Sequence, residues 1–301
     1  LSIQGQAGSE QYGAAVASAG DVDGDGVPDL LIGAPEAVNG APNPGFIQVV
    51  SGATGVVIHE IHHAVGHAKF GSAVAGIGDI DGDGFADFLV GAPGVDGPSG
   101  FRAGASYVYS GVTGALLYSA NGPNAFSEFG GSVCGLGDVN GDGVGDYVVA
   151  ASLAAIGPQT SVGSVFIYSG ADGSRLRRMD GSVAFAGFGH SVADAGDLDG
   201  DGIHELLIGE GGVISGQVHS ASVHLVVANT GATLRTYDLD SRNLMVANAG
   251  DLDGDGIPDQ IIGAPEAKRF GTVTGSTFVH SGSNGALLRE HHGTGLEDSF
   301  G

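Results

Sequence analysis

The sequence contains no tryptophan and a single cysteine, and only ten of its 301 residues are lysine or arginine. With one cysteine the chain forms no internal disulfide, and cysteine usage does not identify the redox compartment. The shortage of basic residues leaves no patch that could displace counterions from nucleic acid, and it makes an anionic membrane surface a poor partner. No run of 18 apolar residues occurs, so no transmembrane helix is predicted.

Acidic residues and glycine are abundant instead. The chain has 34 aspartates and glutamates, a formal net charge of −24 and 58 glycines. High glycine content together with many short runs of β-type residues predicts all-β structure with tight turns. A hydrophobic content of 42% is enough for a sizeable core.

A nine-residue acidic segment, DVDGDGVPD, occupies positions 21–29 and recurs four more times at intervals of about 54 to 59 residues. A fixed period of this size indicates a repeat architecture. The later copies are DIDGDGFAD (Asp79–Asp87), DVNGDGVGD (Asp138–Asp146), DLDGDGIHE (Asp197–Glu205) and DLDGDGIPD (Asp251–Asp259).

Oxygen-bearing side chains stand at loop positions 1, 3, 5 and 9, and a backbone carbonyl at position 7 completes a set that can surround one hard cation. Calcium takes six to eight oxygens at about 2.3–2.6 Å and tolerates irregular geometry, whereas magnesium demands a near-ideal octahedron. Glycines at positions 4 and 6 permit the tight turn. The sequence therefore predicts about five Ca²⁺ sites. Their predicted ligands are Asp21, Asp23, Asp25, Val27 and Asp29; Asp79, Asp81, Asp83, Phe85 and Asp87; Asp138, Asn140, Asp142, Val144 and Asp146; Asp197, Asp199, Asp201, Ile203 and Glu205; and Asp251, Asp253, Asp255, Ile257 and Asp259.

The loop differs from an EF-hand, which carries a glutamate at position 12 and is flanked by helices. Here position 12 is apolar and lies in a short apolar run such as LLIGAP or FLVGAP, which is typical of a buried strand. Each loop is therefore predicted to join two strands. A single acidic turn fits a solvated loop without metal equally well, but five copies at one spacing favour calcium sites. The position-12 residues are Ile32, Val90, Val149, Ile208 and Ile262.

Each repeat follows one order: a strand rich in alanine and glycine, the acidic loop, an apolar strand, a polar loop, an alternating third strand, a tight turn and a fourth strand. Four antiparallel strands with small residues innermost describe a blade of a β-propeller. A linear β-solenoid is disfavoured because its coils are usually shorter and its strands parallel. We therefore predict a single all-β domain, 1–301, with blades at approximately 12–69, 70–128, 129–187, 188–241 and 242–299.

Two further motifs frame the acidic loops. Phe-Gly, or Tyr-Gly in the first copy, precedes the first strand of four repeats, and Gly-Ala-Pro ends the second strand of three. Together with the acidic loop they resemble the FG-GAP repeat of integrin α-subunit propellers and of many secreted bacterial proteins. The resemblance covers essentially the whole chain. It implies a propeller whose calcium sites lie on one face and are structural, not catalytic. The motifs are Tyr12-Gly13, Phe70-Gly71, Phe129-Gly130, Phe188-Gly189 and Phe300-Gly301, with Gly33-Ala34-Pro35, Gly91-Ala92-Pro93 and Gly263-Ala264-Pro265.

Two repeats depart from this pattern. The third has neutral Asn140 in its loop, and the fourth has Glu205 at position 9 and Gly209-Glu210-Gly211 in place of Gly-Ala-Pro. Sites three and four are therefore expected to bind differently from the rest. Cys134 stands where other repeats have alanine and is interpreted as a small buried residue, not a reactive thiol.

The number of blades stays open at the level of sequence. Residues 1–13 overlap in phase with residues 289–301, so segments 1–5 and 288–301 each supply an outer strand at the seam, where a closed ring needs one. Integrin-like propellers usually have seven blades. The chain is thus either a closed five-bladed ring or part of a larger propeller. A spare end strand could also pair with a neighbouring subunit and give a homo-oligomer or filament.

The segment HEIHH at 59–63 matches the zinc-protease pattern HExxH, which needs a helix so that both histidines share one face. It falls in a predicted fourth strand, where His59 and His63 would lie about 13 Å apart at ~3.3 Å per residue. Zn–N bonds are about 2.1 Å, so one zinc ion cannot reach both and no protease is predicted. His62, His63, His67, His291 and His292 are expected to be exposed edge residues.

The loops between second and third strands are predicted to lie opposite the calcium loops, and they vary most between repeats. Phe101-Arg102 and Lys268-Arg269-Phe270 place aromatic and basic residues there, which is a weak sign of a binding surface. Ordinary variable surface is the simpler interpretation.

The sequence thus predicts a non-enzymatic, calcium-stabilised propeller, secreted or on the cell surface, that acts as an interaction, adhesion or structural module. Two alternatives remain: a glycan-binding, lectin-like propeller, and an accessory domain of a secreted carbohydrate-active enzyme. The expected partner is a protein or glycan, or a second copy of the chain, and neither nucleic acid nor a membrane span is expected.

Overall fold

A computed structural model describes residues 11–36, 44–211, 213–214, 217–218, 221–269 and 272–294. Every regular element in these residues is a β-strand. None of them belongs to a helix long and apolar enough to cross a membrane. Of the seam segments predicted from the sequence, 1–5 and 295–301 lie outside the described residues.

Twenty of the strands form five four-stranded antiparallel sheets, which we number as blades 1 to 5 in chain order. Blade 1 contains β1 (Ala15–Gly20), β2 (Asp29–Ala34), β3 (Phe46–Val50) and β4 (Val57–His62). Blade 2 contains β5 (Ala73–Gly78), β6 (Asp87–Ala92), β7 (Ala105–Tyr109) and β8 (Leu116–Asn121). Blade 3 contains β9 (Ser132–Leu136), β10 (Asp146–Ala151), β11 (Ser164–Tyr168) and β12 (Arg175–Asp180). Blade 4 contains β13 (Ser191–Gly196), β14 (Glu205–Glu210), β17 (Ala221–Val227) and β18 (Thr233–Leu239). Blade 5 contains β19 (Met245–Gly250), β20 (Asp259–Ala264), β23 (Ser276–His280) and β24 (Leu287–His292).

Two short hairpins lie in the loops between second and third strands, and the sequence did not predict them. They are β15 (Val213–Ile214) with β16 (Gln217–Val218) in blade 4, and β21 (Lys268–Arg269) with β22 (Thr272–Val273) in blade 5.

The strands of each blade are hydrogen-bonded in sequence order, as predicted. In blade 1, Leu31 of β2 pairs with Ala17 on one side and with Val49 on the other. Second strands are buried on both faces because neighbouring blades cover both sides, whereas β4 alternates between exposed and half-buried residues at the rim. This is why the second strands read as continuous apolar runs.

Small residues of the first strands let the blades approach closely. A Cβ on Gly76 of β5 would lie 2.5 Å from the carbonyl oxygen of Ser18, and one on Gly135 of β9 would lie 2.6 Å from that of Gly76. No side chain fits such a gap, so the alanine- and glycine-rich pattern of these strands is explained. Cys134 of β9 pairs with Val148 as Ala75 of β5 pairs with Leu89, which confirms the position assigned to it.

The inner strands pack in the series β1, β5, β9, β13, β19, and four hydrophobic clusters fill the boundaries between blades. In the described part of the chain, β19 does not pack on β1 in the way that joins the other neighbours. The five blades therefore form a propeller array with two open ends.

The HEIHH segment lies in and just after strand β4, so the strand predicted for it is confirmed. The Nε2 atom of His59 lies against the carbonyl oxygen of Gly111, whereas His63 stacks on Phe70 with 5.5 Å between ring centroids. The expectation of exposure was wrong for His63, which is half-buried because its Nε2 also reaches the hydroxyl of Tyr107 at 3.1 Å. It was also wrong for His292, whose Nδ1 lies 2.8 Å from the hydroxyl of Ser276.

Candidate metal centres: five acidic loops

Each acidic loop joins the first and second strands of its blade, as the sequence predicted. Because the blades share one strand order, the five loops emerge at the same end of the array. The loops between second and third strands emerge at the opposite end. The architecture therefore separates a face of acidic loops from a face of variable loops.

The first carboxylate organises its loop by accepting backbone N–H groups. In blade 1, Asp21 accepts the N–H of Gly24 at 2.8 Å and that of Gly26 at 2.9 Å. Both glycines have positive φ, 76° and 86°, which side-chain-bearing residues rarely adopt. The other four loops repeat both hydrogen bonds. The glycines at positions 4 and 6 thus aim these amides at the first carboxylate.

The ninth carboxylate is buried and ties the loop to the rest of its blade. Asp29 accepts the N–H of Val22 through Oδ2 at 2.8 Å and the N–H of Gly52 through Oδ1 at 2.9 Å. Gly52 belongs to the turn between the third and fourth strands. Equivalent pairs of hydrogen bonds form at Asp87, Asp146 and Asp259. Sequence reasoning missed this partner because a tie across 23 residues leaves no local signal.

Burial of these carboxylates disfavours their charge. Desolvation raises the pKa of Asp146 to about 6, and the nearby carboxylates of Asp142 and Asp138 raise it further. Desolvation likewise raises the pKa of Asp87, with a contribution from Asp81. A cation among these groups would remove that penalty because an opposite charge favours the ionised form.

Blade 4 differs at this position, as the sequence predicted. The Oε2 atom of Glu205 accepts the N–H of Leu198 at 2.8 Å, but Oε1 is buried with no hydrogen-bond partner among the described residues. An unsatisfied buried carboxylate oxygen is costly and calls for an ion or water as its partner. Desolvation also raises the pKa of Glu205, and the Asp199, Asp201 and Asp197 carboxylates add to the rise.

Carboxylate oxygens converge within 4.8 Å of one another in four loops. In three loops the group comprises positions 1, 3 and 9, and in the fifth it comprises positions 1, 3 and 5. Hard oxygens in this number, with an orphaned oxygen in blade 4, fit calcium. The full ligand sets, including the position-7 carbonyls, stay predictions. The groups are Asp21, Asp23 and Asp29; Asp79, Asp81 and Asp87; Asp197, Asp199 and Glu205; and Asp251, Asp253 and Asp255.

The third loop forms no comparable group among the described residues. Its Asn140 side chain donates a hydrogen bond to Oδ2 of Asp142 at 2.8 Å, so an amide occupies a place where other loops have a carboxylate. The expected difference at site three follows from this neutral residue.

On the opposite face, the boundary between blades 1 and 2 contains a hollow of about 420 Å³. The exposed ring of Phe101 lies at its edge, 5.4 Å from the ring of Phe126. Lys69 pairs with Glu36 at 3.7 Å, and Arg102 forms an ion pair with Glu128. Phe101 and Arg102 thus meet a basic residue of the neighbouring blade, whereas Lys268-Arg269 lie in the β21–β22 hairpin and Phe270 lies outside the described residues. The hollow is lined by Gly66, His67, Lys69, Gly94, Asp96, Phe101 and Arg102.

Comparison with known proteins agrees with this architecture. A family profile described as the FG-GAP repeat matches residues 12–50 and 70–109. Integrin alpha-V of Gallus gallus is 31% identical over 216 residues, 67% of this chain and 20% of the relative. Integrin alpha-5 of Xenopus laevis is 30% identical over 233 residues, 71% of this chain and 21% of the relative. The chain spans about a fifth of the length of these relatives.

Solved structures show similarity of fold. The yeast protein Sqt1 (Saccharomyces cerevisiae) aligns with a TM-score of 0.56 at 9% identity, covering 89% of this chain and 59% of that one. The Dos1 propeller aligns with a TM-score of 0.52 at 12% identity, covering 89% and 56%. The rhamnogalacturonan lyase YesW aligns with a TM-score of 0.53 at 20% identity, covering 92% and 50%. At these identities the likeness concerns the propeller fold alone.

The repeat match, the similarity to integrin α-subunits and the five four-stranded blades lead to one assignment. The protein is an integrin α-like FG-GAP repeat protein with a β-propeller fold.

Proposed function

We propose that this chain is a calcium-stabilised, non-catalytic interaction module located outside the cell or at its surface. The observation that carries the proposal is the convergence of carboxylate oxygens within 4.8 Å in four of the five acidic loops. Without a cation, such groups repel one another and resist ionisation. Bound calcium would neutralise them and hold each loop against its blade.

The chain's own residues divide this task. Position 1 shapes the loop by accepting the glycine amides, and position 9 fastens the loop to the outer turn through the bond typified by Asp29 and Gly52. The buried Oε1 of Glu205 offers an oxygen that no described protein group uses. Calcium is therefore proposed as a structural ion that keeps five blades rigid so that the opposite face can bind a partner.

The proposed location and lack of catalysis rest on the relatives and on calcium supply. The matched relatives are integrin α-subunits, and the FG-GAP resemblance implies structural calcium sites. Sites with several carboxylates and carbonyl ligands suit the calcium concentrations found outside cells.

The direct test is thermal unfolding with calcium, with magnesium and with chelator, combined with calorimetric titration of the calcium-free protein. We expect calcium to raise the melting temperature, because each site contributes about 2.7 kcal/mol at a hundredfold excess over Kd. Magnesium should have a much smaller effect. Equal melting temperatures in calcium and chelator would overturn the metal proposal.

Glycan binding is a second candidate, favoured by the hollow between blades 1 and 2. Its volume of about 420 Å³ is within the usual range of small-molecule sites. The exposed Phe101 ring offers an apolar platform for a sugar face, and Lys69, Asp96 and Arg102 offer charged partners for hydroxyl or carboxylate groups.

A glycan array probed with the calcium-loaded protein tests this candidate. Binding should be lost in Phe101→Ala and retained in Phe185→Ala, an equally exposed phenylalanine at the boundary of blades 3 and 4. An array without any signal would count against the glycan reading and leave the calcium proposal intact.

A further inference from the structure

Blade 1 presents an apolar surface on the side that faces away from blade 2. Val16 of β1 is 68% exposed, although its counterparts Val74, Val133 and Val192 are 8%, 8% and 6% exposed. Leu30 of β2 is 39% exposed, whereas its counterparts in blades 2, 3 and 4, Phe88, Tyr147 and Leu206, are at most 2% exposed. We call Val16 and Leu30 the leading face.

Blade 5 presents the opposite surface of the repeat. Met245 of β19 is 53% exposed, and an open hollow of about 210 Å³ extends across β19 and β20. Ile261 of β20 is half-buried, whereas its counterparts Leu31, Leu89, Val148 and Leu207 are 0% exposed. We call Met245, Ala247 and Ile261 the trailing face.

The two faces are the halves of a boundary that the chain builds four times internally. Between blades 1 and 2, Leu31 packs in one cluster with Val74 and Phe88. Leu31 corresponds to Ile261 of the trailing face, and Val74 and Phe88 correspond to Val16 and Leu30 of the leading face. A trailing face is therefore complementary in shape and chemistry to a leading face.

Hydrogen bonds at the rim show the same complementarity. At each internal boundary a residue of the fourth strand reaches a carbonyl of the next blade's outer turn. Tyr118 donates to the carbonyl of Ala171 at 2.8 Å, and Arg235 donates to those of Gly282 and Ser283, both at 2.7 Å. The other two pairs are His59 with Gly111 and Arg177 with Asn229.

Arg289 is the residue of blade 5 at this position. It is exposed and makes no hydrogen bond or ion pair with any described residue. The carbonyl groups of Gly52 and Ala53, in the outer turn of blade 1, stand where the internal acceptors stand in blades 2 to 5. An unused donor on the trailing side thus matches unused acceptors on the leading side.

We propose that the trailing face of one copy packs on the leading face of a second copy, in a head-to-tail boundary that repeats the internal ones. Ile261 and Met245 would cover Val16 and Leu30, and Arg289 would donate to the outer turn of the second copy. A contact between two different faces is heterologous, so it produces a ring if the rotation closes and a filament if it does not. The inference extends the proposed interaction function by naming a second copy of the chain as a partner.

Sedimentation velocity and light scattering in calcium test the contact. We expect concentration-dependent association of the unmodified chain, an at least tenfold weaker association for Arg289→Ala, and monomers for Val16→Glu. Val65→Glu is the matched control, since Val65 is 55% exposed and lies outside both faces. A chain that stays monomeric up to about 100 µM would overturn the proposal, because specific interfaces hold more tightly than that.

Mixing two blocked variants tests the head-to-tail arrangement. Val16→Glu lacks a working leading face and Met245→Glu lacks a working trailing face, so each alone should be monomeric. Their mixture should form a dimer, because one intact face of each kind remains. No association in the mixture, or full association of either variant alone, would rule the arrangement out. Calcium titration of both variants should match that of the unmodified chain, which separates this result from failure of the metal proposal.

Discussion

The carboxylate of Asp29 accepts the backbone N–H of Gly52 through Oδ1 at 2.9 Å, although 23 residues separate them in the chain. The bond joins the acidic loop, next to the inner strand, to the outer turn of the same blade. It explains how a metal-binding loop can influence the stability of a whole blade.

Replacing Asp29 by Asn should destabilise the protein even in chelator, because an amide nitrogen would face a buried backbone donor. A buried group left unsatisfied costs about 1–3 kcal/mol. Asp23→Asn is the control, since Asp23 is exposed and accepts only the N–H of Asp25 within its own loop. Denaturant unfolding in chelator should distinguish the two variants. In calcium both should lose stability, and equal unfolding midpoints in chelator would contradict the role assigned to Asp29.

Gly33→Ala should be strongly destabilising. A Cβ at this position would lie 2.0 Å from the carbonyl oxygen of Gly71 in the next blade, and backbone cannot yield easily. Overpacking of this kind costs about 1–3 kcal/mol or more. Gly145→Ala is the matched control, because its nearest neighbour would lie at 3.4 Å and other loops carry a side chain at that position. A melting temperature of Gly33→Ala equal to that of the control would refute the close approach.

Asn140→Asp should strengthen calcium binding at the third loop. The substitution adds the carboxylate that the other loops have, and ligand charge is one determinant of calcium affinity. In chelator the variant should be less stable, since the hydrogen bond from Asn140 to Asp142 becomes a repulsion between carboxylates. Calorimetry and thermal unfolding measure both effects. Asn121→Asp adds the same charge on the fourth strand of blade 2 and should change neither.

His63 should make the boundary of blades 1 and 2 sensitive to acid. Desolvation holds the pKa of His63 below its ordinary value of 6.5, so the folded state binds fewer protons than the unfolded state in this range. Stability therefore rises with pH through that window and is lost as pH falls below about 6.5.

His63→Phe should keep the stacking on Phe70 and show a smaller loss of stability between pH 7 and 5 than the unmodified chain. The comparison of the two unfolding curves isolates this residue, because the other histidines are common to both. Parallel curves would show that His63 does not titrate with unfolding.

Repetition made much of the fold predictable. Five copies of the acidic segment defined five repeats, and the apolar run after each copy predicted the second strands correctly at β2, β6, β10, β14 and β20. A glycine at positions 4 and 6 predicted the turn, and the positive φ of Gly24 and Gly26 confirms it. These features are local, so a short window of sequence carries them.

The hydrogen-bond partners across the chain were not predictable in the same way. His63 looked like a rim residue by strand alternation, yet Tyr107 of the next blade buries one side of it. The hairpins β15–β16 and β21–β22 are too short for a periodic pattern to show. Each outcome depends on a neighbour that sequence spacing does not specify.

The sequence by itself determined the repeat, the four-stranded blade and the acidic loops, because their periodicity, turn glycines and oxygen-bearing side chains all act within one repeat. Only the tertiary structure decided that Gly52 holds Asp29, that Glu205 keeps one oxygen without a partner, and that the leading and trailing faces stay open. Those features arise where separate segments meet, and the way blades stack in space fixes them.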